Sequence, residues 1–158
     1  GEICKNLLEH LLQNPYFDKN PPKSLDKLFL SELFKNNEFN RLNHFDKIKT
    51  LSELTVMSVV KSFRLFPKKP ELLLVMGGGR RNKYFIKRIR EELDIKVKLI
   101  DHYDVNGDQI EADLISFLTA RSYYNFPLTF PKTTGVLQPT KGGEIYYPIK
   151  SYQASSTP

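Results

Sequence analysis

Residues 71–100, ELLLVMGGGRRNKYFIKRIREELDIKVKLI, constrain this chain more than any other stretch. The apolar run ELLLVM, bounded by Pro70 and three glycines, has the pattern of a strand covered on both faces. After the glycines, Phe85, Ile86, Ile89 and Leu93 recur at helical spacing and mark the inward face of a helix. In KVKLI, Val97 and Leu99 alternate with lysines, the mark of a second strand. Strand, helix and strand in this order close as a parallel pair with a crossover, which sets the class as α/β.

The rest of the chain is mostly helical. Ile3, Leu7, Leu8, Leu11 and Leu12 predict an amphipathic helix over residues 2–13 that stops at Asn14-Pro15. Pro15, Pro21 and Pro22 make NPYFDKNPPKS an extended connection, until Ser24 caps a helix over 25–35 that buries Leu28, Phe29 and Leu33. The polar run KNNEFNRLN separates it from a long helix over 44–65. Asn43 is the expected N-cap there, Asp46 lies in the first turn, and Phe45, Ile48, Leu51, Thr55, Ser58, Val59, Ser62 and Phe63 share helical spacing. FPKKP ends that helix. Beyond the second strand, DHYDVNGD is a loop, and QIEADLISFLTARSYY predicts a helix with Ile110, Leu114, Ile115, Phe117 and Leu118 inward. The remainder is dense in proline and glycine, with one short strand expected at Glu144–Tyr147. So few strands among so many helices look like half of a larger α/β domain.

Three consecutive glycines are entropically costly, so a reason for bare backbone is sought. Between a strand and a helix start, such a turn lets a ligand approach without Cβ interference, and free amides favour a negative or polar group. Gly77, Gly78 and Gly79 are thus candidate ligand-binding residues, with Asn82 capping the next helix and Arg80 and Arg81 flanking the ligand. A simple tight turn is the competing reading. Neither G-x-G-x-x-G nor the P-loop pattern is present. Asp108 and Glu111 lie one helical turn apart, and the plainer role for them is an N-cap and capping box.

Several chemistries are disfavoured. His10, His44 and His102 lack ligand-like spacing, so no metal site is expected. The single cysteine, Cys4, excludes a disulfide framework and fits a reducing cytoplasm. Net charge is +6, but the tightest basic group, Arg80 to Arg90, runs into Glu91, Glu92 and Asp94 as a solvated helix face would, and no nucleic-acid motif accompanies it. No apolar run approaches the length that spans a bilayer. The chain opens on glycine rather than methionine and shows no signal peptide, so its first residue is read either as a scar left by expression or as the start of a fragment.

Three ordered stretches carry a resemblance: NPYFDKNPPKSLDK, then LSELTVMSV with LLLVMGGGRRN, then NGDQIEADLISFLTARS with PLTFPKTTGV and PTKGGEI. Together they resemble the C-terminal half of the anhydro-N-acetylmuramic acid kinases, across nearly the whole chain. Lys27 stands where a family arginine usually follows Ser-Leu-Asp, keeping charge but not bidentate geometry. Asp113-Leu114 replaces the usual small or amide residue.

The resemblance implies the C-terminal lobe of an actin, hexokinase and Hsp70-like ATPase of ribonuclease H-like topology, helix-rich with a small mixed sheet. Residues 1–150 would form that nucleotide-binding lobe and 151–158 a loose C-terminal tail. It implies a cytoplasmic enzyme of peptidoglycan recycling that uses ATP and Mg2+ to convert 1,6-anhydro-N-acetylmuramic acid to N-acetylmuramic acid 6-phosphate. Gly77, Gly78, Gly79 and Asn82 would face the nucleotide, and Glu111 the sugar cleft. The family's Gly-Thr-Ser phosphate loop and its Asp-Thr-Gly-Pro-Gly-Asn segment, with the catalytic aspartate, have no counterpart in these residues. No catalytic residue is therefore expected here, and the chain alone should be inactive without its N-terminal lobe. A homodimer is plausible by the same resemblance. The other reading is a non-catalytic remnant that serves as a nucleotide-binding or interaction module.

Overall fold

The computed structural model describes residues 1–147, apart from the side chains of Lys27, Phe29, Leu30 and Glu32. The expected tail at 151–158, the burial of Phe29 and the charge at Lys27 lie outside what is described. Two compact units are formed, Gly1–Asp113 and the segment from Leu114 onward.

The first unit begins with α1 (Lys5–Leu12), α2 (Lys27–Phe34), α3 (Asn37–Arg41) and α4 (His44–Phe63). Then come β1 (Leu72–Val75), α5 (Lys83–Glu92) and β2 (Lys96–Leu99). The strands are parallel, with Leu72 opposite Lys96 and Val75 opposite Leu99. Among the described residues the sheet is two-stranded and parallel, where a small mixed sheet was expected. The chain is a helix-rich α/β structure.

Two apolar clusters hold this unit, and α4 serves both. Leu7, Leu33 and Phe39 form the first, with Leu11, Leu42 and Leu51 against them. Val56, Ile89 and Val97 form the second, joined by Val59, Leu73, Val75 and Phe85. This places α4 and α5 over one face of the strand pair. β1 is accordingly half-buried rather than covered on both faces, and Leu72 is exposed.

Local signals explain most boundaries. The Asn43 side chain accepts from the Asp46 amide at 3.0 Å and starts α4 where the sequence places it. α2 starts at Lys27 rather than Leu25, with Asp26 accepting from the Leu28 amide. Two departures come from short-range chemistry. Asn36 caps an unexpected one-turn helix, α3, in the polar run, and its Phe39 is buried. Residues Pro15–Asp18 form a 3-10 turn that buries Phe17, where an extended connection was expected.

Burial differs from the periodic reading in three helices. Leu28 is exposed although α2 was expected to bury it with Leu33, which is buried. In α4, Phe45 and Ile48 are exposed while Thr50, Glu53, Leu54 and Val56 are buried. The buried face is turned toward Thr50 and Glu53 because both polar groups have partners inside, and a satisfied polar group can be buried. Thr50 accepts from the Cys4 amide at 3.0 Å. α6 (Ile110–Tyr123) forms as expected, but none of its side chains is buried, and Leu114, Ile115 and Phe117 are exposed. Spacing marks the face a helix can bury, and burial needs an element that receives it.

In the second unit, Arg121 donates to the Pro127 carbonyl at 2.6 Å and lies over the rings of Phe117, Phe126 and Phe130. A one-turn helix, α7 (Pro131–Thr134), and an antiparallel bridge between Thr129 and Thr140 follow. Residues Glu144–Tyr147 form no strand, contrary to expectation. Among the described residues no helix is long and apolar enough to cross a membrane.

Candidate functional site

β1 delivers the glycines to the carboxyl end of the parallel pair, where open α/β sheets bind ligands. Gly77 has φ 71° and ψ −176°, a region that essentially only glycine occupies. The backbone then makes a 3-10 turn over Gly78–Arg81, and Asn82 leads into α5. Gly78 and Gly79 have no such backbone demand. A Cβ added at either would meet no protein atom within 4 Å. Their bareness therefore serves neither packing nor backbone strain. Both are exposed, and neither amide donates to an acceptor among the described residues. That donor set and open cradle suit a polar or anionic ligand.

Asn82 performs the capping role expected of it. Its side-chain oxygen accepts from the amides of Tyr84 at 3.0 Å and Phe85 at 3.4 Å. Glu111 lies in the first turn of α6 and is exposed. The loop before α6 hangs on the glycine turn, since the Gly77 amide donates to the Gly107 carbonyl at 3.3 Å. The turn and the loop leading to Glu111 are thus neighbours.

Arg80 departs most from the sequence reading. Instead of flanking a ligand on a solvated face, it is buried, at 7% exposure. Its Nε and Nη2 donate to Asp101 at 2.8 and 3.1 Å, and Nη1 donates to Asp108 at 2.7 Å and to the Gly77 carbonyl at 3.0 Å. Arg81, which is exposed, also pairs with Asp108. Hydrogen bonds from Arg80 hold the Asp101 carboxyl down at about 2 and the Asp108 carboxyl below its ordinary value. Both carboxylates are ionised and engaged by arginine, and their lowered pKa values make them weak bases. Among the described residues no group of three or more His, Cys, Asp or Glu is placed to hold a metal.

A second ionic cluster supports the helix behind the turn. Glu53 of α4, at 3% exposure, accepts from Arg88 Nη2 at 2.6 Å and from the Tyr84 hydroxyl. Arg88 also holds Glu91 and Glu92 on its own helix. The Arg88 hydrogen bond lowers the Glu53 pKa, while burial and then Glu53 push the Tyr84 phenol up to about 12. Sequence reasoning missed both networks. The pairs that join different elements in them lie 21 to 35 residues apart, so no local spacing announces those.

Comparison with known proteins gives a consistent result. A family model described as anhydro-N-acetylmuramic acid kinase matches residues 1–148. A protein of that name from Zymomonas mobilis is 36% identical over 148 residues, covering 93% of this chain and 39% of the relative. One from Roseobacter denitrificans is 34% identical over 157 residues, covering 99% of this chain and 41% of the relative. One from Microcystis aeruginosa is 34% identical over 154 residues, again 41% of its length. The chain thus spans about two fifths of the length of the curated relatives it matches.

Proposed function

The chain belongs to the anhydro-N-acetylmuramic acid kinase family, and from that membership we propose that it forms the nucleotide wall of a kinase acting on 1,6-anhydro-N-acetylmuramic acid. The lobe is of the actin and hexokinase-like type. ATP, when bound, supplies the γ-phosphoryl group that reaches the sugar O6 as water opens the anhydro ring. This chain's residues bind and orient. Gly77 turns the backbone out of β1, Gly78 and Gly79 leave room for the nucleotide and offer two amides, and Asn82 fixes the start of α5. Glu111 faces the sugar. Phosphate gripping and proton removal, which phosphoryl transfer requires, are assigned to residues outside this chain, and so is magnesium binding.

One observation carries this reading. Gly78 and Gly79 are bare where neither packing nor backbone conformation asks for it, while Gly77 is glycine for conformational reasons. The test follows from the contrast. Gly77→Ala costs stability, about 1–3 kcal/mol for a strained backbone region. Gly78→Ala and Gly79→Ala leave the melting temperature nearly unchanged and weaken ATP binding about tenfold, a loss of ~1.4 kcal/mol. Calorimetric titration with ATP reads this. Full ATP affinity in both alanine variants sinks the assignment.

A further inference from the structure

We infer that Arg80 is a positioning residue that joins the glycine turn and the start of α6 into one rigid piece, so that nucleotide at Gly77–Gly79 and sugar facing Glu111 bind interdependently. The inference rests on the proposed function.

Three backbone segments meet at one guanidinium. Nη1 holds the Gly77 carbonyl at 3.0 Å and Asp108 at 2.7 Å, while Nε and Nη2 take both oxygens of Asp101 just beyond β2. Asp108 stands three residues before Glu111, and the Gly77 amide returns a bond to Gly107. The turn therefore cannot shift without moving the loop that starts α6. Gly107 is buried, and a Cβ there would come within 2.4 Å of Arg80 Nε, so the loop is shaped around this side chain. A surface arginine needs none of this. Bidentate geometry to Asp101 is one that lysine, a point charge, does not reproduce.

Coupling between two ligands is a ratio of affinities, and a bolt that only stabilises the fold does not set that ratio. The experiment measures the ATP dissociation constant with and without saturating 1,6-anhydro-N-acetylmuramic acid, in protein expressed from its full reading frame. In the native protein the sugar tightens ATP by about fivefold or more, the lower end of ordinary coupling. In Arg80→Lys the ratio falls close to one, with each ligand still bound alone. Gly107→Ala, which displaces the guanidinium but retains it, gives the same loss. If Arg80→Lys does not fold, Gly107→Ala decides alone. An unchanged ratio in folded variants overturns the inference, as does a native protein that binds both ligands independently. A native protein that binds neither ligand overturns the kinase reading itself, and the inference with it.

Discussion

Removing Glu53 separates two views of the α4–α5 contact. Its carboxylate, 3% exposed, takes Arg88 Nη2 at 2.6 Å, Arg88 Nε at 3.2 Å and the Tyr84 hydroxyl. In Glu53→Ala, Arg88 keeps Glu91 at 2.7 Å and Glu92 at 2.6 Å, so its charge is not stranded. The half-buried Tyr84 hydroxyl loses its acceptor, a cost of about 1–3 kcal/mol. The deleted side chain also leaves a void between packed helices. We expect about 3 kcal/mol in total, at the lower edge of the ~3–5 kcal/mol for breaking a buried pair. At ~2–4 °C per kcal/mol for a chain of this size, the thermal midpoint drops by about 6–12 °C. Arg88→Met should cost more than Glu53→Ala, because it strands a buried carboxylate that has no second cation in hydrogen-bond contact. Urea unfolding followed by circular dichroism measures both. The reverse order, or a Glu53→Ala cost under ~0.5 kcal/mol, the usual size for a plain surface change, refutes the reasoning.

Two further outcomes follow. Asn82→Ala removes the cap on α5 and costs about 1 kcal/mol, whereas Asn82→Asp keeps an acceptor for Tyr84 and Phe85 and holds stability in the same unfolding assay. Acid should also weaken the fold. Asp101, Asp108 and Glu53 all have folded pKa values below their ordinary 3.8, 3.8 and 4.5, so their stabilisation is complete above those values and is lost as pH falls from 4.5 toward about 2. Thermal midpoints measured across that window should decline, and Asp101→Asn should flatten the decline. A midpoint that is level down to pH ~2 contradicts this.

How much could be read in advance depended on range. Asn43 and Asn82 announce their helices because a cap acts within three residues. Val97 between lysines announces its strand because pleating alternates side chains. Phe45 and Ile48 misled, since their spacing fits a buried stripe although Thr50 and Glu53 go inside. Arg80 misled for the same reason. Beside Arg81 and before Lys83 it resembles a solvated cation, and its partners at 101 and 108 lie on the far side of a helix and a strand.

The sequence by itself determined the strand, glycine turn, helix and strand unit, its parallel closure, the asparagine-capped starts of α4 and α5 and the family. These follow from propensities and spacings that act within a few residues, and from three ordered motifs. Only the tertiary structure decided which face of α4 is buried, that Gly78 and Gly79 open onto free space while Gly77 is conformationally required, and that Arg80 ties the glycine turn to the start of α6. Burial and ion pairing depend on which distant side chain arrives to satisfy a charge, and only the folded chain brings those partners together.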